Sequence, residues 1–122
     1  MLYWGAGEEG IEGTALQVRT TMKYQLVLQW PASSLTDYDR MIQVENTLLE
    51  GLGVEHKVAG HDEGSGETNI FIRTDSPSAA FARIRKIVDK RVMKNVRVAY
   101  REVSKSAYTV LWPRDLTEFS VV

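Results

Sequence analysis

The sequence contains no cysteine. Disulfides, thiolate nucleophiles, iron–sulfur clusters and cysteine-based zinc sites are therefore excluded. No apolar run approaches the roughly 20 residues that span a bilayer, so no membrane segment is expected. The opening Met1-Leu2-Tyr3-Trp4-Gly5 offers neither a basic leader nor an apolar stretch, and no signal peptide is read there. A cytoplasmic location is the expectation that follows. An excess of one charge sign is missing too: 15 Lys and Arg stand against 16 Asp and Glu, a net charge of -1. Such a chain lacks the global basic field that nonspecific nucleic-acid binding draws on, and no nucleic-acid partner is expected. What remains is a chain of 122 residues, 43% hydrophobic and 25% charged. That is enough for one domain with a modest core and too little for two.

Residues 1–21 differ from the rest. They carry Gly5, Gly7, Gly10 and Gly13, the acids Glu8, Glu9 and Glu12, and one base, Arg19, with no helical or strand period. A segment of this kind buries too little apolar surface to offset its ordering entropy, so a flexible N-terminal extension is expected. Met22 then opens the apolar stretch Tyr24-Gln25-Leu26-Val27-Leu28 and resembles a natural initiator. An upstream extension of the reading frame and an ordinary tail are equally good readings of residues 1–21. The domain is expected over residues 22–122, with 14 bases and 13 acids.

Within it, Tyr24, Leu26, Leu28 and Trp30 alternate with Gln25, Val27 and Gln29, the period of a half-buried strand that Pro31 ends. Ser33 and Ser34 are suitable helix caps, with Asp37 and Asp39 near the positive helix end. Tyr38, Met41, Ile42, Leu48, Leu49 and Leu52 recur at helical spacing, and Gly51 and Gly53 close the helix. A weaker strand is expected over 54–59, a glycine-rich connection over 60–67, and a doubly covered strand over 68–74. Ser76-Pro77 starts a second helix with Ala80, Phe81, Ile84, Ile87 and Val88 as its buried stripe. Strands from Val96 to about Val103 and through Tyr108, Val110 and Trp112 follow, separated by the turn Ser104-Lys105-Ser106. The tail after Pro113 carries no assignable period. The order β-α-β-β-α-β plus one hairpin strand predicts an α+β, ferredoxin-like split β-α-β sandwich, an antiparallel sheet with two helices on one face. One core is expected to hold Leu28, Trp30, Ile42, Leu49, Ile70, Ile72, Phe81, Ile84 and Val98.

The run Tyr24-Gln25-Leu26-Val27-Leu28-Gln29-Trp30-Pro31 and the loop Gly60-His61-Asp62…Gly64-Ser65-Gly66-Glu67 resemble those of a family of small uncharacterised bacterial proteins. The resemblance spans roughly residues 22–113 and implies domain limits; it implies no activity. Motifs of better-known families are missing. Pro31-Ala32-Ser33-Ser34 stands where an acylphosphatase-like enzyme needs a Gly-Arg phosphate cradle. Residues 67–73 supply only Phe71 as a base-stacking aromatic, which does not make an RNA-recognition motif. Gly64-Ser65-Gly66 opens no helix, so no phosphate-binding glycine loop is read there.

Two features carry candidate chemistry. On a helical wheel of about 100° per residue, Glu45 falls at about 340°, inside the arc of the apolar residues, and is expected against the sheet. A carboxylate there needs a polar partner, or serves as a general base or ligand-holding acid. The connection His61-Asp62-Glu63-Gly64-Ser65-Gly66-Glu67 concentrates an imidazole, three carboxylates and a hydroxyl beside glycines. A solvated connection is one reading of it, and an oxygen-ligand or amine-binding loop is the other. His61, Asp62, Ser65, Glu67 and Asn69 are the candidate ligand-binding residues. Glu45, His61 and Glu67 are the candidate acid–base cluster, if His61 and Glu67 turn back toward Glu45. His56 with His61 makes no zinc motif, and no metal or cofactor is expected. Charge is uneven: residues 37–67 hold eight acids and two bases, residues 83–105 nine bases and two acids. A solvated face is the plain reading, and a surface for phosphate or an acidic protein the functional one.

The expected function is a small-ligand-binding or protein-binding regulatory domain without catalysis, a homodimer being one expected assembly. A small enzyme using Glu45, His61 and Glu67 is the alternative. A third reading is an immunity-type partner whose acidic 37–67 surface meets a basic effector.

Overall fold

A computed structural model describes residues 22–31, 38–64 and 66–121. The expectations for residues 1–21, for the caps Ser33 and Ser34, for Asp37, for the side chains of Tyr38 and Asp39 and for Ser65 lie outside the described residues. The elements are β1 (Tyr24–Pro31), α1 (Tyr38–Gly51), β2 (His56–Gly64), β3 (Glu67–Thr74), α2 (Pro77–Ile87), a 3-10 helix (Val92–Asn95), β4 (Arg97–Glu102) and β5 (Thr109–Trp112). The strands form one antiparallel sheet in the order β2-β3-β1-β4-β5, so the class is α+β. Among the described residues no helix is long and apolar enough to cross a membrane.

Period-two alternation assigns every strand residue to a face. Leu26 lies opposite Ile72 and Tyr100, and Leu28 opposite Ile70 and Val98, so these side chains share one face. Together with Trp30 they join Met41, Val44 and Leu48 of α1 and Ala80 and Ile84 of α2 in a single buried cluster. Both helices therefore cover the same face. The fully buried Trp30 keeps its polar edge satisfied: the indole Nε1 donates to the Val92 carbonyl at 2.8 Å. The helices meet closely where α1 ends. A Cβ built on Gly51 would lie 2.6 Å from Ile87 Cδ1, so any side chain at 51 must displace Ile87. The Gly51 carbonyl also accepts from Arg83 Nε at 2.9 Å.

Four expectations are corrected. The buried stripe of α1 is Met41, Val44 and Leu48, with Leu52 just beyond the helix, whereas Leu49 is 60% exposed. Val44, at about 240° on the wheel, belongs to the stripe, which turns the buried arc away from Leu49 and places Glu45 on its flank. Ile42, Phe81 and Ile87 are only partly buried and pack on the margin of the core. The residues expected to form a glycine-rich connection are largely strand, because His61, Asp62 and Glu63 pair with Ile70, Asn69 and Thr68. β2 is an edge strand, where polar side chains reach water without cost and sequence period is weakest. Ser76 stands at the N-cap of α2, but its side chain makes no capping bond; Pro77 begins the helix, and the Ser76 N–H donates to Thr74 Oγ1 at 2.9 Å.

The rotation of α1 is testable at adjacent positions. Leu48→Ala is expected to cost about 2–5 kcal/mol as a buried truncation. Leu49→Ala is expected to change stability by less than about 0.5 kcal/mol. Urea denaturation of both variants checks this; equal losses would place the helix in the orientation that buries Leu49.

Candidate functional site

The bulge in β2 decides which candidates meet. Val58 lies opposite Ile72, and Gly60 opposite Phe71, so Ala59 is an extra residue without a partner of its own. An extra residue reverses the facing of everything that follows it. Gly60, at φ +144, supplies the backbone conformation there that other residues rarely adopt. His61 is thereby turned to the helix-covered face and Asp62 to the opposite one.

On the helix side, His61 Nδ1 lies 3.0 Å from Glu45 Oε2, joining β2 to α1. The His61 side chain is 32% and the Glu45 side chain 14% exposed, so the pair sits at the edge of the helix layer. Glu45 thus has a polar partner, as its place beside the apolar stripe requires. Glu67 is not brought to this pair. It lies opposite Pro31 on the other face of the sheet, across β3 from the helices. His56, deeper on the helix side, is buried and bonds Thr74 Oγ1 through Nδ1 at 2.8 Å, a partner within the fold.

The open face carries a different arrangement. Register places Asp62, Asn69, Gln29 and Arg97 side by side in one row across β2, β3, β1 and β4. The neighbouring row is Gly60, Phe71, Val27, Ala99 and Val110, in which Val27 and Ala99 are fully buried. Gln29 and Asn69 are each only 1% exposed. The Gln29 amide Nε2 donates toward Asn69 Oδ1 at 3.1 Å, Glu67 Oε1 at 3.2 Å and the Ser120 carbonyl at 2.9 Å. Glu67 accepts from Arg97 Nη2 through its other oxygen at 3.3 Å. Arg97 Nε is buried without a hydrogen-bond partner. The chain after β5 returns over this row, where the Phe119 ring meets Tyr108 with centroids 4.9 Å apart. Between tail and sheet lies a cleft of about 530 Å³, lined by Gln29, Glu67, Arg97, Tyr108, Glu118 and Phe119 among others.

Of the ligand-binding candidates, Glu67 lines this cleft, Asn69 is buried beneath it as a partner of Gln29, and Asp62 is exposed at the β2 end of the row. His61 lies on the other side of the sheet. Sequence reasoning missed Gln29, Arg97 and the tail. One signal was legible: glutamines at 25 and 29 on a strand whose other face is wholly apolar imply an internally satisfied polar row. Among the described residues no group of three or more His, Asp or Glu side chains is arranged to hold a metal ion. No protein-family model matches the chain, and neither a curated protein nor a solved structure matches it significantly.

A further cavity, of about 340 Å³, lies between α1 and the segment after α2, lined by Arg40, Val44, Asp89 and Arg91 among others. Asp89 receives the Arg91 side chain at 3.0 Å and its backbone N–H at 2.8 Å. The side-chain bond from Arg91, then the backbone bond, hold the Asp89 carboxyl below its ordinary pKa. A carboxylate held low in the folded state stabilises the fold above its unfolded pKa and loses that contribution as pH falls through the folded value. In Arg91→Ala, which removes the side-chain bond and keeps the backbone one, the Asp89 pKa is expected to rise toward its ordinary value, read by carboxyl carbon shifts in an NMR pH titration. An unchanged titration would show that Arg91 does not engage Asp89 in solution.

Proposed function

We propose that the chain is a small-ligand-binding domain that works without catalysis, built on a ferredoxin-like split β-α-β frame with β5 added beside β4. The order β2-β3-β1-β4, with helices after β1 and β3, supports the frame. The carrying observation is Glu67 held between Gln29 and Arg97 at a cleft that also presents Glu118. Fixed donors and acceptors in a recess of a few hundred Å³ suit a small polar molecule. The Arg97 guanidinium neutralises one of the two cleft carboxylates and leaves the other for a cationic group. A small amine or amino acid is the ligand class that fits.

A second reading is a small enzyme using Glu45 with His61, favoured by their 3.0 Å contact, the geometry of a base oriented by a carboxylate. Glu67, on the opposite face, takes no part in it.

Amide NMR spectra of the full chain titrated with methylamine, glycine and acetate separate these readings. Methylamine and glycine are expected to shift the signals of Arg97, Tyr108 and residues 117–120, and acetate to leave them in place. Glu118→Gln is expected to weaken the response about tenfold or more, as loss of a charged partner does. Shifts confined to His61 and residues 41–49, or none with any probe, would contradict the cleft as the site.

A further inference from the structure

Trp112, the last residue of β5, lines two adjacent cavities of about 350 Å³ and 410 Å³ on the side of the molecule away from the acidic edge strand β2. The first also presents Phe81, Arg85, Lys90 and Met93; the second presents Lys94, Asn95 and Pro113. The Arg85 guanidinium lies 5.2 Å from the Trp112 ring centroid and 5.5 Å from that of Phe81, so a flat cation is already stacked in the groove. Among the described residues no carboxylate lines either cavity. The two acids in this stretch are engaged elsewhere, Asp89 with Arg91 and Glu102 with Lys105 and Lys23. Lys90 and Lys94 have no ion-pair partner among the described residues, and both are exposed. The groove thus combines stacking surface with positive charge that the fold leaves unneutralised.

We propose that this groove binds a mononucleotide. The base enters the cavity of Phe81, Met93 and Trp112 and stacks on the aromatic and guanidinium planes, which accept any π-face. The phosphates reach Lys90 and Lys94, which lie on either side of Met93 in the sequence and supply the point charges that phosphate binding uses. Each cavity is large enough for part of such a ligand. The net charge of -1 favours one nucleotide over a tracked polymer. The groove opens away from the open-face cleft and shares only Arg97 with its lining.

Calorimetric titration of the full chain at low salt tests the proposal with ATP, adenosine, tripolyphosphate, a short oligothymidylate and a hexaglutamate peptide. ATP is expected to bind, with adenosine and tripolyphosphate each weaker by about tenfold or more. The double variant Lys90→Ala/Lys94→Ala changes exposed side chains and is expected to weaken ATP about tenfold with its melting temperature unchanged. Trp112→Ala is expected to weaken ATP but not tripolyphosphate, and Trp112→Phe to retain most of the ATP affinity. Absence of ATP binding with a Kd of about 1 mM or tighter overturns the proposal. Tripolyphosphate equal to ATP, insensitivity to the lysine and tryptophan variants, or tighter binding of the oligothymidylate or the peptide overturns it as well.

Discussion

β1 is hydrogen-bonded on both sides and buried on both faces, and the other elements are arranged around that constraint. From Leu26 to Trp30 each residue is at most 1% exposed. Leu26, Leu28 and Trp30 require an apolar cover, which α1 and α2 supply. Val27 and Gln29, on the opposite face, require a different one. A buried glutamine amide is costly unless its donors and acceptors are met, so Gln29 dictates polar neighbours at the matching positions of β3 and β4. Asn69 and Arg97 are the residues that register places there. The Ser120 carbonyl completes the set from the returning tail.

The division of chemistry between the two faces follows from one extra residue in β2. Without the bulge at 58–60, His61 would share the open face with Glu67, and Glu45 would have no partner from the sheet. With it, His61 and Glu45 close the edge of the helix layer, and the open face keeps a row of amide, guanidinium and carboxylate groups. A carboxylate bonded by a buried amide and an arginine is fixed in place before any ligand arrives. Such fixed polar groups are what make a cleft selective, since a ligand that fails to match them leaves them unpaired.

Much of this architecture could be read from the sequence where burial imposes a strict period. The alternation through Leu26, Leu28 and Trp30, the Ser76-Pro77 helix start and the apolar Ile70-Phe71-Ile72 run each pointed to the element that forms. Reading failed where the period is loose. Val44 and Leu49 are both apolar, and only packing against the sheet decides which one α1 buries. The polar residues 61–63 look like a loop because an edge strand needs no apolar pattern. The facing of His61 depends on a backbone irregularity that residue types do not announce. The tail was illegible because Ser120 acts through its carbonyl, a group every residue possesses.

The buried Gln29 amide is held by Asn69, Glu67 and the Ser120 carbonyl of the returning tail. Hydrogen exchange of the Gln29 side-chain amide protons, read by NMR against those of the exposed Gln43 in the same sample, tests this arrangement most directly. Exchange slower than that of Gln43 by about tenfold or more is the predicted result, since a buried, bonded amide exchanges only through opening. Equal rates for the two glutamines would mean that water reaches the row and that the tail does not seat on the sheet.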